Sequence, residues 1–217
     1  MLPGPDVLYK CPKCNNFIYN ESLMGGNACG ASLFSDGKLV APMLPEFPNL
    51  TKCKKCSSFL WLGKMKSLGY FNMYNSRELA ELTGDPNVRP DKAEFLSLDD
   101  LFGVLNLHDF QDPREEIFVR TRIWWTFNDR IRYGKGVLFQ NDDDEFRYLD
   151  NIASLINLNA KSSPDELFSL AENYRNLGDF NKCIEIINSI VDPELIGFKL
   201  AFLLECENKN RWVVRLR

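Results

Sequence analysis

The chain has a single histidine, His108, in 217 residues. Any catalytic triad, imidazole-based metal centre or histidine general base must run through it, and it stands between Leu107 and Asp109 in a loop-like stretch. No serine or cysteine nucleophile signature accompanies it, so the expectation is a protein that is not an enzyme. No apolar run approaches the roughly 18 residues needed to cross a bilayer, the longest candidates being Phe59 to Leu62 and Leu200 to Leu204. Met1 to Lys10 lacks the basic segment followed by an apolar one that marks a secretory leader. A soluble, cytoplasmic protein without a membrane partner is expected. In a reducing compartment its seven cysteines would not form a disulfide framework.

Composition is otherwise ordinary, at 45% apolar and 26% charged. A chain of this mass buries about 70% of its extended surface on folding, enough for a true core. The net charge of −4 conceals an asymmetry: residues 1–75 hold eight lysines and four acids, the remainder 18 basic and 26 acidic groups. The acidic remainder is a poor binder of polyanions.

Four cysteines carry the strongest pattern, as two pairs at Cys-x-x-Cys spacing, Cys11 with Cys14 and Cys53 with Cys56. Two such pairs bring four soft thiolates to one point, as in a structural Zn2+ site with no open coordination position. Iron in the same four thiolates, which would make the protein a rubredoxin-like electron carrier, and a redox dithiol are the alternatives, although a thioredoxin-type dithiol needs a βαβ setting that residues 1–75 do not offer. Cys29, in the glycine-rich run from Gly25 to Gly30, is read either as a small packed residue or as a substitute ligand or reactive thiol. Cys183 and Cys206 read as core residues on helices.

The hydrophobic period changes near residue 75, which sets the expected domain boundary. Before it lie short strands at Val7 to Tyr9, Phe17 to Tyr19 and Phe59 to Leu62, and an Asp36-Gly37 turn between Ala31 to Phe34 and Leu39 to Ala41 that predicts a hairpin. Pro42, Pro45 and Pro48 keep the path to the second cysteine pair extended. After it, helices are expected from Ser76, from Ser97, from Pro113 to about Tyr133 capped by Asp112, and from the acidic run Asp142 to Glu145 to about residue 158. That acidic run lacks the central Gly and terminal Glu of a calcium loop and reads as first-turn carboxylates. Further helices follow Ser163-Pro164 and Asp179, with a last one from about Glu194 to Cys206.

The two knuckles resemble those of a zinc ribbon, although Asn15 and Ser57 stand where many knuckles have Gly and the 38 residues between the pairs exceed the common spacing. Asp165 to Glu194 resembles one tetratricopeptide repeat, a helix-turn-helix unit of roughly 34 residues. Leu170, Ala171, Tyr174, the turn Leu177-Gly178-Asp179-Phe180 and Cys183 carry the match, while Leu167 replaces the usual Trp and Ile190 departs from the second small residue. No second repeat is found at that offset. The stretch from Leu39 to Trp61 resembles an uncharacterised group of bacterial proteins that join a ribbon to a tetratricopeptide-like tail, and no activity comes with that resemblance.

The fold expected is therefore α+β and multidomain: a small β zinc ribbon over residues 1–75, then an all-α tetratricopeptide-like domain over 76–217 with its one unit at about 164–194. The function expected is a non-enzymatic zinc-binding adaptor whose helices contact another protein. A second reading draws on Phe47 to Arg77, which contains Lys52, Lys54, Lys55, Lys64, Lys66 and Arg77 without an acid, interleaved with Phe59, Trp61, Tyr70, Phe71 and Tyr74. That is the composition of a single-strand nucleic-acid surface, or of a ribbon core wrapped by solvating lysines. Of the adjacent Trp124 and Trp125, one faces the core and the other is a candidate interface anchor.

Overall fold

A computed structural model describes residues 1–73, 75–134, 136–160 and 162–216. Its strands are β1 (Leu2–Pro3), β2 (Asp6–Lys10), β3 (Phe17–Asn20), β4 (Leu23–Gly25), β5 (Ser32–Leu33), β6 (Leu39–Val40), β7 (Leu50–Lys52), β8 (Phe59–Trp61), β9 (Gly69–Phe71) and β10 (Asp91–Lys92). Its α-helices are α1 (Ser76–Thr83), α2 (Leu98–Leu107), α3 (Pro113–Arg132), α4 (Asp142–Leu158), α5 (Pro164–Leu177), α6 (Phe180–Ser189) and α7 (Ile196–Glu207). No helix among the described residues is long and apolar enough to cross a membrane.

The chain divides into two compact units, one of Met1–Ala31 with Ala41–Asp99, the other of Ser32–Val40 with the chain from Asp100 onward. This differs from a single boundary near residue 75 in two ways. Helix α1 and strand β10 stay with the front unit, where β10 runs parallel to β3 and pairs Asp91 with Ile18 and Lys92 with Tyr19. Conversely, the Asp36-Gly37 hairpin belongs to the helical unit.

Within the front unit, one structural element occurs twice. Residues 8–19 and 50–61 share Leu, Lys, Cys, Lys, Cys and Phe at matching places, 42 positions apart. Both form a strand, a cysteine turn and a returning strand in the same antiparallel register: Leu8 opposite Tyr19 and Lys10 opposite Phe17 in one copy, Leu50 opposite Trp61 and Lys52 opposite Phe59 in the other. The equivalent Ile18 and Leu60 are both buried in one small core with Cys11 and Cys53. Around the first copy the sheet order is β10-β3-β2-β9, and α1 lays Leu79 against Leu8 and Phe71.

In the helical unit, α3 through α7 each pack on the next helix in the chain. Caps expected from the sequence are made: the Asp112 side chain accepts from the Arg114 N–H, Ser163 from Glu166 and Asp179 from Lys182, while Asn141, not anticipated, caps α4 by accepting from Asp144. The acidic run Asp142 to Glu145 forms the first turn of α4. Gly178 ends α5 at φ 84°, a left-handed position that glycine occupies without a Cβ clash.

What a helical period does not anticipate is the far face of α5, where Glu172, Asn173, Arg175 and Asn176 are all buried. The hairpin β5–β6 and the tail near Val214 close over it. Leu216 N–H donates to the Leu33 carbonyl at 2.8 Å and Ser35 N–H to that of Val214 at 2.9 Å. At the hairpin tip Ser35 Oγ donates to Glu172 at 2.7 Å, and Arg175 meets both Glu172 oxygens, at 2.8 and 2.6 Å. Asp36 receives Asn128 Nδ2 at 2.9 Å and the Arg132 guanidinium. Trp124 Nε1 and Tyr148 Oη both donate to Asn176 Oδ1, at 2.8 and 3.0 Å. Burial pushes the Glu172 carboxyl up, and the charge and hydrogen bonds of Arg175 and Ser35 oppose that only in part.

Candidate metal centre

Each cysteine pair sits in a tight turn whose backbone aims two sulfurs the same way. Cys11 N–H donates to the Asn16 carbonyl at 2.8 Å and Asn15 N–H to that of Cys11 at 2.9 Å. The second turn repeats both bonds with Cys53, Ser58 and Ser57, at 2.9 and 2.8 Å. Such a reversal needs a left-handed residue after the second cysteine, and Asn15 at φ 60° and Ser57 at φ 58° supply it. Glycine takes that conformation most easily, so the two departures from the ribbon pattern keep its geometry with some backbone strain.

The duplicated turns face each other and bring Cys11, Cys14, Cys53 and Cys56 together, all four Sγ atoms within 4.8 Å of one another. The contacts between copies are equal: Cys11 to Cys56 and Cys14 to Cys53 are each 3.6 Å. These are not disulfides. Four sulfurs on a tetrahedron with metal–sulfur bonds of about 2.3 Å lie about 3.8 Å apart, so the group can hold a metal ion.

Electrostatics point the same way. Hydrogen bonds from the Ser58 hydroxyl and backbone bring the Cys56 thiol down to about 6. At Cys14 the Asn16 backbone N–H lowers the value, but burial and the thiols of Cys56, Cys53 and Cys11 outweigh it and push the group up to about 12. Thiols this close do not all ionise without a cation among them. Cys11 and Cys53 are fully buried, Cys14 is half-buried and Cys56 is exposed, so the site lies at the edge of its core.

Three polar residues around the sulfurs were not expected. Asn16 Nδ2 lies 3.9 Å from Cys53 Sγ and 2.7 Å from Asp91 Oδ2, while Ser58 Oγ stands 3.2 Å from Cys56 Sγ. Asn16 and Ser58 occupy the same place in the duplicated element, five residues after its first cysteine. Recognising the 42-residue repeat would have singled them out; nothing local marks Asp91.

Other candidates are spread more widely. Cys29 is exposed and outside the sulfur group. His108 is exposed at φ 48° after α2, and its ring makes no hydrogen bond to a described residue. Lys52 ends β7, and Lys54 and Lys55 lie within the second cysteine turn. Lys54 pairs with Glu94 at 2.7 Å, and Lys64 covers the Trp61 ring at 5.6 Å. Lys55 and Lys66 are exposed, and Arg77 pairs with Glu81 on α1. Phe71 is buried, Phe59 and Trp61 are half-buried, and Tyr70 is exposed; Tyr74 lies outside the described residues. Trp124 is core. Trp125 donates to the Asp36 carbonyl at 2.9 Å and is covered by Lys38 and Arg122, so it anchors the hairpin within its own unit. Cys183 and Cys206 lie in the α5–α7 core as expected.

No family model, curated protein or solved structure matches this chain.

Proposed function

We propose that this chain is a non-enzymatic, cytoplasmic zinc-binding adaptor: the four thiolates hold one structural Zn2+, and the helical unit, tetratricopeptide-like at α5–α6, docks another protein. Residues Cys11, Cys14, Cys53 and Cys56 suit Zn2+ in number, softness and spacing. A closed set of four protein ligands leaves no position for substrate, which favours a structural role.

One observation carries the docking reading. Helix α7 is apolar on nearly every side, yet only Phe202 and Cys206 are fully buried. Ile196, Leu200 and Leu204, spaced four apart on one stripe, remain 55%, 58% and 54% exposed, and Val191 just before them 91%. A helix apolar all round is normally enclosed, and an apolar stripe rimmed by polar residues marks an interaction surface.

Metal analysis and partner capture test the two halves. One zinc per chain in a colourless protein is expected; a coloured, iron-loaded protein or a metal-free folded one would overturn the zinc assignment. Replacing Leu200 and Leu204 by Glu, both exposed, should leave the fold intact and abolish capture of the partner bound by the unaltered chain. Unchanged capture would sink the docking reading.

A further inference from the structure

The metal-bearing unit contains a second feature, a cleft of about 920 Å3 beside the β10 edge of its sheet. That volume falls in the range of small-molecule and side-chain pockets. Its frame is rigid. Pro3, Pro5, Pro45 and Pro48 all contribute to the wall, and fixed φ angles leave little to be ordered when a ligand enters. Tyr19, Phe47 and Phe95 add aromatic surface.

The charge of the lining is one-sided. Asp6, Glu21, Glu46 and Glu94 line the cleft against one cationic side chain, Lys92. Lys92 is taken by Glu21 at 2.6 Å, and Glu94 receives Lys54 at 2.7 Å. Asp6, half-buried on β2, makes no ion pair among the described residues and accepts the Met73 backbone N–H. Burial is the main reason its carboxyl titrates above the ordinary value, with Glu21 adding to the effect and the Met73 N–H and Lys92 opposing it. A second cation at this point would relieve both the burial of Asp6 and its repulsion by Glu21. Phosphates and other anions meet the wrong field, and a neutral apolar ligand leaves Asp6 uncompensated.

We propose that this cleft binds an organic cation, a guanidinium or primary ammonium on an apolar stem, with Asp6 receiving the charge and the proline and aromatic walls receiving the stem. Aromatic faces next to carboxylates suit such a ligand, because a cation gains from both when water is excluded. The same chemistry is available from a free amine and from an arginine or lysine side chain of a peptide.

Calorimetry on the full, zinc-loaded chain tests this with three probes: butylguanidine, a capped Gly-Leu-Arg-Leu-Gly peptide, and the same peptide with citrulline, which keeps the shape and loses the charge. At least one cationic probe should bind with submillimolar affinity, and the citrulline peptide at least tenfold more weakly than its arginine counterpart. Tighter binding of the arginine peptide than of butylguanidine identifies a protein segment as the source, and equal binding a free amine. Asp6→Asn should weaken the cationic probes at least tenfold. Glu46→Gln, on the exposed rim, should weaken them two- to fivefold and keeps the test decisive if Asp6→Asn does not fold, as judged by zinc content and thermal midpoint. Equal affinity for the citrulline and arginine peptides, no binding at millimolar concentration, or full affinity in both variants would overturn the proposal.

Discussion

The two units hold distant stretches of chain together by opposite means. In the front unit, two copies of one small hairpin meet through four sulfurs, and the surrounding apolar core is small: Ile18, Leu60, Leu62 and Ala93 beside Cys11 and Cys53. In the helical unit the bundle already has a substantial core, and Glu172, Arg175, Asp36 and Arg132 are buried in addition to it. The first unit relies on its sulfur cluster because its apolar clusters, this one and that of Leu8, Phe71 and Leu79, are both small. The second carries its cluster as a specification of which segment docks where, since only a hairpin bearing Ser35 and Asp36 satisfies those charges. A metal–thiolate group is thus expected to decide whether its unit folds, and a buried ion network to decide how one segment fits.

The largest effect that tests this contrast is metal removal. Stripping the ion with a chelator, or replacing Cys53 by Ser, should unfold the front unit, since structural zinc contributes on the order of 10 kcal/mol or more to small domains. Amide protection should disappear across residues 8–20 and 50–62, while the helical circular dichroism persists. Retained protection in the metal-free chain would break the comparison.

A smaller effect is expected in the helical unit. Glu172→Leu alone leaves the Arg175 guanidinium buried beside an apolar group and should cost about 3–5 kcal/mol by chemical denaturation. Adding Arg175→Met should recover much of that loss, because the raised Glu172 carboxyl shows that pairing offsets its burial only in part. The sign is checkable too. An acid more basic in the folded chain than in the unfolded one favours folding at low pH, and that contribution is lost as pH rises through the folded value, so the Leu variant should remove this slope. If the double variant is no better than the single, the network stabilises more than it specifies.

The smallest change sharpens the account of the cysteine turns. Ser57→Gly relieves a left-handed serine at φ 58°. Release of about 1 kcal/mol of strain is partly cancelled by glycine's greater freedom in the unfolded chain, leaving a gain of a few tenths of a kcal/mol in the metal-loaded protein. Asn15→Gly should gain less, since asparagine enters this region more readily. A loss of stability in both would show that the side chains, and not the backbone, hold the turns.

Legibility in the sequence followed the range of the forces involved. The four ligands, the caps at Asp112 and Ser163, the turn at Gly178-Asp179 and the Asp36-Gly37 reversal depend on neighbours a few residues away, so residue type and spacing announced them. The duplication of residues 8–19 in 50–61 was equally present in the sequence, and it explains why the pairs converge with equal 3.6 Å contacts. Tertiary structure decided everything that depends on a distant partner. Lysines and aromatics adjacent in sequence went to different places: Lys54 to Glu94, Phe71 inward, Tyr70 outward. A two-residue strand at Asp91–Lys92 returned to the front sheet, where Lys92 meets Glu21. The hairpin legible at residues 32–40 left its sequence neighbours for the helical unit, where Ser35 and Asp36 meet the buried charges of Glu172, Arg175 and Arg132, and no local pattern records where a buried charge will find its complement.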